Sequence, residues 1–251
     1  MLPATPIDMK PAGLPPFLLV HGAYHGGWCW APVARILRAR GHEVFTPTQT
    51  GLGERRHLLS RSIDMETFVI DIMNVVEFER LENVVLVAHS YGARAANGVV
   101  DRVPEKIRRL IYIDGGLALS GVSRLDSLSP ESRDKRIQSS EQFDGGISVP
   151  PPPAEYFGIR DPSIARWMNA LMTPQPLNAE RTAVTLKHPI GNGRAATYIR
   201  CSSPPLPSVD ASAEYARKRT DWRFLEIAAG HEAMLTHPEQ IASILLEECA
   251  D

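Results

Sequence analysis

Ala88-His89-Ser90-Tyr91-Gly92 follows the apolar run Val84-Val85-Leu86-Val87 and precedes the small-residue stretch Ala93-Arg94-Ala95-Ala96. This reads as strand, sharp turn and helix, with a serine at the apex. Such a turn holds a hydroxyl out from the end of a sheet, where a histidine can reach it. The pattern is G-x-S-x-G with Ala88 in the first glycine position and Gly92 in the last. Small residues suit both places because strand and helix approach closely around the serine. Ser90 is therefore the candidate nucleophile. The plainer alternative is a βα turn with an ordinary serine.

Working outward, strands and helices alternate. Phe17-Leu18-Leu19-Val20 ends at His21-Gly22, and an amphipathic helix from about 30 to 40 is stopped by Gly41. Glu43 to Thr46 is the next strand. A helix from about 65 to 81 starts behind Asp64, whose carboxylate can accept orphan N–H groups. The serine turn and its helix to about 102 follow, and Leu110 to Ile113 is a strand ending at Asp114-Gly115-Gly116. Regularity fails from about 115 to 193, a stretch with Pro150-Pro151-Pro152-Pro153 and helical pieces such as 164–171. A proline run is stiff and extended. Alternation then resumes with a strand at 196–201, a helix at about 209–218, a strand at 222–227 and a last helix at 238–248. Repeated βα units imply a mainly parallel sheet with helices on both faces. The whole chain, 1–251, reads as one α/β domain. Its insertion at about 115–193 is expected over the strand ends, where such sheets bind ligands.

Composition narrows the function classes. The chain has 251 residues, 43% hydrophobic and 22% charged, with a formal net charge of -2. These values are those of an ordinary globular domain. No basic excess suggests nucleic acid, and no apolar stretch is long enough to span a membrane. Met1 to Pro16 lacks the charged and apolar regions of a secretory signal. Cys29, Cys201 and Cys249 have no metal-binding spacing, and three cysteines complete no disulfide framework. A cytoplasmic protein with reduced thiols is the expectation. No sequence patch marks a dimer interface, although homodimers are common and one is allowed here.

Ser90 needs a general base. His231, in Ala229-Gly230-His231, comes after the last strand and before the last helix, giving the order nucleophile first and histidine last. His89, beside the serine, reads as structural. A carboxylate must hold the imidazole in the right tautomer. Two candidates stand open. Asp114 ends the strand after the serine, and Asp210 lies near the start of a later helix, where it is also a natural cap. Asp114 is preferred, because adjacent strand ends reach the same histidine. Acyl transfer also needs N–H donors for the oxyanion. Tyr91 N–H and Ala23 N–H, the latter in the loop His21-Gly22-Ala23-Tyr24-His25-Gly26-Gly27-Trp28, are the candidates. The Gly51-Leu52-Gly53-Glu54-Arg55-Arg56 loop lacks a nucleotide-binding fingerprint. Arg55 and Arg56 are expected to fix it by salt bridges.

Together these pieces resemble the α/β-hydrolase superfamily, and within it the branch of plant methylesterases, hydroxynitrile lyases and bacterial carboxylesterases of the pyrethroid-hydrolase type. The resemblance runs from Phe17 to the last helix. It rests on His21-Gly22-Ala23 with His25-Gly26-Gly27-Trp28, on Gly51-Leu52-Gly53-Glu54-Arg55, on Ala88 to Gly92, and on Gly230-His231 before Met234-Leu235. The glycine-rich loop and the proline run look like the bacterial esterases. The resemblance implies Ser90 as nucleophile, His231 as base, Ala23 and Tyr91 as oxyanion donors, and neither a metal nor an organic cofactor. The sequence departs from the family at the acid, whose usual position falls near Ser202-Ser203. Some α/β-hydrolases place it after the strand following the nucleophile, which Asp114 fits. The lyases carry a lysine just after the histidine, where this chain has Glu232, a charge expected to repel cyanide.

The expected activity is that of a serine carboxylesterase acting on small to medium apolar or aromatic esters. The expected partner is thus a small-molecule ester. Phe157, Trp167, Met168, Leu171 and Met172 of the insertion, with Met234, are candidate pocket residues, although each could equally pack the insertion onto the core. The alternatives are a carbon–carbon bond hydrolase or lyase on the same fold, and a non-catalytic ligand receptor.

Overall fold

The computed structural model of the chain describes residues 13–250, so most of the Met1–Pro16 stretch lies outside the described residues. The first half runs β1 (Phe17–Val20), α1 (Ala31–Ala39), β2 (Val44–Phe45), α2 (Met65–Phe78), β3 (Val84–His89), α3 (Gly92–Arg102) and β4 (Ile107–Ile113). The irregular stretch holds α4 (Pro130–Asp144), β5 (Ser148–Val149), α5 (Pro162–Leu171), β6 (Gln175–Pro176) and α6 (Leu177–Arg181). The chain closes with β7 (Ala196–Cys201), α7 (Asp210–Arg217), β8 (Trp222–Ile227), α8 (Ala233–Thr236) and α9 (Pro238–Ala250).

Six strands form one parallel sheet in the order β2-β1-β3-β4-β7-β8. Successive side chains of a strand point to opposite faces. Phe17 and Leu19 of β1 accordingly join one core with Val33 and Leu37 of α1 and Ile241 and Leu245 of α9. Leu18 and Val20 join the other, with Phe68 and Ile72 of α2 and Val99 of α3. The expected α/β sandwich with helices on both faces is thus the observed one. Each fully buried aliphatic side chain contributes roughly 1.5–3 kcal/mol. No helix among the described residues is long and apolar enough to cross a membrane.

The caps explain where sequence and structure part. α2 starts as expected, with Thr67 N–H donating to Asp64 at 2.8 Å and the Asp64 N–H to Thr67 Oγ1 at 3.3 Å. α5 starts two residues before 164, because Asp161 accepts the Ser163 and Ile164 N–H groups with Pro162 in the first position. α4 has no apolar stripe to announce it. Ser129 caps its start, and Gly145 at φ +70° stops it. β5 and β6 form a separate antiparallel pair.

Candidate active site

The register of the sheet sets the site. β3 and β4 are neighbours, with His89 opposite Ile113, so Ser90 and Asp114 leave adjacent strand ends side by side. Strands lie about 4.8 Å apart. The Ser90 N–H still donates to Ile113 O (3.1 Å) and the Asp114 N–H to Ile199 O (2.8 Å). Both residues then turn sharply, Ser90 at φ +50° and Asp114 at φ +45°. The left-handed region is costly for a side-chain-bearing residue, and here it tips both side chains above the sheet. Gly92 follows because a Cβ there would stand 2.4 Å from His21 O, and a Cβ on Gly22 would stand 2.9 Å from Ser90 Cβ.

His231 arrives from β8, reaching over the end of β7. Its Nε2 lies 2.9 Å from Ser90 Oγ and its Nδ1 lies 2.7 Å from Asp114 Oδ2. A carboxylate only accepts, so Nδ1 carries the proton and Nε2 is free to accept from the serine hydroxyl. His231 is 1% exposed and Asp114 fully buried. Such a chain can take the hydroxyl proton and stabilise the imidazolium that results.

Asp210, the other carboxylate weighed from sequence, does not meet His231. It begins α7 with its side chain 63% exposed and accepts Arg200 Nη2–H at 2.5 Å. Arg200 is buried, and its Nη1–H reaches Asp114 Oδ1 at 3.0 Å, beside the Cys201 N–H at 3.0 Å. The two aspartates are therefore linked through one guanidinium. Arg200 is not among the residues that the sequence motifs single out. Its signal is a single cation on the otherwise uncharged strand 196–201, which demands a counter-ion when buried.

Three more buried histidines hold the backbone around the site. His21 Nδ1–H donates to Gly22 O (2.8 Å), while its Nε2 accepts the Gln49 N–H (3.0 Å). Burial pushes its pKa down to about 4, so it stays neutral. His89 Nε2–H donates to His231 O at 3.0 Å, and burial, aided by His231 and His25, holds its imidazole well below the usual range. His25 Nδ1–H donates to Ala23 O at 2.6 Å. The Glu232 carboxylate is buried 3.5 Å from His25 Nε2 and is absent from the cavity wall. Its charge thus faces His25. A Glu232 oxygen also lies within 4.8 Å of a ring nitrogen of His89 and of His231, so its negative charge sits close behind the wall.

Ser90, Tyr91, Ala23 and His231 open on a cavity of about 1350 Å³. The Ala23 and Tyr91 N–H groups donate to no other group among the described residues. Tyr24 (φ +69°) ties the same loop to the insertion. Its N–H donates to Gln175 Oε1 (3.1 Å), its carbonyl accepts the Thr173 N–H (2.8 Å), and its hydroxyl accepts Arg136 Nη2–H (2.5 Å). Leu117, Leu128, Val149 and Pro150 to Pro152 form much of the apolar wall.

Of the expected pocket residues, Phe157 lines the cavity, its ring lying parallel to that of His231 with centroids 6.0 Å apart. Trp167, Met168, Leu171, Met172 and Met234 do not line it. Met168 and Met234 are fully buried in the core beneath, Met172 packs with them, and Trp167 meets Trp28 edge-on at the surface, 42% exposed. The cause is the face α5 presents. Its apolar stripe covers the α1–α9 core rather than the cavity. Arg55 holds its loop through Thr48 O and Asp71, as expected, whereas Arg56 is exposed without an ion pair among the described residues. Cys29, Cys201 and Cys249 are unpaired and buried.

The sequence pattern of the alpha/beta hydrolase family matches residues 17–244. A carbendazim-hydrolyzing esterase from Nocardioides is 35% identical over 246 residues, covering 91% of this chain and 97% of that protein. An extracellular alpha/beta-hydrolase from Paenibacillus superposes with a TM-score of 0.79 at 21% identity, over 93% of this chain and 98% of its own. A pyrethroid hydrolase from Sphingobium faniae superposes with a TM-score of 0.72 at 19% identity, over 94% and 97%.

Proposed function

The chain belongs to the alpha/beta hydrolase family, and from that premise we propose that it is a serine carboxylesterase working through an acyl-enzyme on Ser90. The observation that carries this reading is the continuous contact from Ser90 Oγ to His231 Nε2 and from His231 Nδ1 to Asp114, at the floor of a ligand-sized cavity. The esterase relative, similar along nearly its whole length, supports the same reaction class.

Ser90 Oγ attacks the ester carbonyl while His231 Nε2 takes its proton. Asp114 balances the charge on the imidazolium. The carbonyl oxygen becomes an oxyanion and is met by the Ala23 and Tyr91 N–H groups, each worth about 3 kcal/mol in such sites. His231 returns the proton to the departing alcohol. Water, deprotonated by the same histidine, then releases the acid and restores Ser90. These steps consume only ester and water, so the chemistry calls on no metal or organic cofactor. Small to medium apolar or aromatic esters suit the wall formed by Phe157, Leu117, Leu128 and the prolines. The segment from about 115 to 193 serves as a cap on the one hydrolase domain. A reducing, cytoplasmic compartment agrees with the three unpaired cysteines.

The test is hydrolysis of p-nitrophenyl butyrate by the wild type beside Ser90→Ala. Steady turnover that falls on the order of a thousandfold or more in the variant supports the reading. Equal activity in both proteins sinks it.

A further inference from the structure

Buried charges are ordinarily paired with opposite charges. Among the described residues, buried Arg200 lies between Asp114 and Asp210, half-buried Arg109 meets Glu248, and half-buried Arg136 meets Glu180. Arg94 is the exception. It is 7% exposed, yet its guanidinium reaches only neutral oxygens, Val122 O and Ser127 Oγ, both at 3.0 Å. The nearby carboxylates attract Arg94 through space but make their hydrogen bonds elsewhere. Arg136 engages both oxygens of Glu180, and Asp126 accepts the Ser123 N–H and hydroxyl.

Arg124 stands beside it. Its guanidinium makes no hydrogen bond or ion pair among the described residues, and both arginines line the cavity that contains Ser90. Burial chiefly, with the like charge of Arg124 adding to it and Glu180 and Asp126 opposing it, pulls Arg94 down to about 10. Of the other charged lining residues, Lys135 is matched by Glu131, and Glu155 belongs to the separate 154–157 turn beside Phe157. Two cations with no carboxylate in hydrogen-bond contact among the described residues thus share one part of the wall. Arg94 lies in the first turn of α3, which begins two residues after Ser90.

We propose that the cavity takes esters bearing a second, anionic group, a carboxylate above all, and that Arg94 and Arg124 hold that group while the ester carbonyl lies at Ser90. Guanidinium forks match carboxylates in geometry as well as charge. This substrate class rests on the esterase reading above.

The experiment compares kcat/KM for monomethyl adipate with that for dimethyl adipate, in the wild type, Arg124→Gln and Arg124→Glu, at low and high salt. The wild type should favour the hemiester by roughly tenfold or more, and salt should erode that preference. Arg124→Gln should bring the ratio toward one, and Arg124→Glu should invert it. Arg124 is the decisive position, because Arg94 also fastens residues 122–127 and its loss can loosen the cap. Equal use of both esters by the wild type, or a ratio unmoved in Arg124→Gln, overturns the proposal and leaves Arg94 as a clamp. Adipate binding to the Ser90→Ala protein, measured by calorimetry, reads the anion site without turnover. Binding that weakens in Ser90→Ala/Arg124→Gln upholds the site even if no ester is cleaved, in which case only the esterase reading fails. Absent binding removes the site.

Discussion

Asp114→Asn should cost the protein nearly all its ester hydrolysis, while Asp210→Asn should cost it little. Asp114 is fully buried and accepts three hydrogen bonds, from His231 Nδ1–H, the Cys201 N–H and Arg200 Nη1–H. An asparagine can keep its carbonyl oxygen toward Cys201 and Arg200, but its amide then points an N–H at His231 Nδ1. That contact selects the tautomer with the proton on Nε2, which can no longer accept from Ser90 Oγ. In the serine-protease form of this arrangement the same exchange lowers kcat about ten-thousandfold, equivalent to about 5.5 kcal/mol in the barrier. Stability should fall as well. Arg200 loses its buried counter-charge and retains only Asp210 at the surface. Breaking a buried pair typically costs about 3–5 kcal/mol, and Asp210 reduces this toward the lower figure. At about 2–4 °C per kcal/mol for a domain of this size, melting should drop by roughly 6–12 °C. Asp210→Asn leaves all three contacts of Asp114 in place, so its kcat should stay within a few-fold of wild type. The assay is kcat for p-nitrophenyl butyrate at a temperature well below both melting points, with melting followed by circular dichroism. The reasoning fails if Asp114→Asn keeps a tenth or more of wild-type kcat, or if Asp210→Asn loses as much.

Gly22→Ala would put a methyl group 2.9 Å from both His89 Nδ1 and Ser90 Cβ, so Ser90 must shift. A misplacement on that scale should lower kcat about a hundredfold, and wild-type kcat in this variant would show that the turn has room to spare. Met168→Ala should cost about 2–5 kcal/mol of stability in urea unfolding and leave KM for small esters unchanged, because Met168 is fully buried in the core and not on the cavity wall; a changed KM at constant stability would contradict this. Stability should also fall on acidification. Buried His21 has its pKa held down at about 4, against 6.5 unfolded, so the unfolded chain binds the extra proton between these values. The stabilisation is complete above pH 6.5 and is lost as pH falls toward 4, by about 2 kcal/mol between pH 7.5 and 5, with His89 acting in the same direction. A urea midpoint unchanged over that range would refute it.

The alternation of apolar strands and helices, the serine turn and the late histidine were legible in the sequence, because they depend on local chemistry. β3 ends in a turn whose small residues are dictated by contacts such as that between Gly92 and His21 O, and those small residues are visible as letters. Asp64 announces α2 for the same reason: a cap acts on its own first turn. α4 escaped because its polar residues carry no apolar period, and its ends rest on one serine and one left-handed glycine.

Which aspartate faces the histidine could not be read from spacing. It depends on strand order, which sets β3 beside β4 and leaves β7 between β4 and β8. His231 therefore crosses the end of β7 to meet Asp114, and Arg200 on that strand turns Asp210 from a rival into a remote counter-charge. The cavity wall lay beyond sequence for a related reason. Met168 and Met234 have the chemistry of pocket residues, but the seating of α5 and α8 on the core buries them. Arg94 and Arg124, ordinary charges along the chain, meet at the wall only once residues 122–127 are folded against α3. Local sequence thus determined the elements and the candidate serine and histidine, since hydrogen bonding and periodicity act within a few residues. Long-range packing decided between the two acids, of which the sequence only favoured Asp114, and it alone decided which wall and which cations share the space above Ser90.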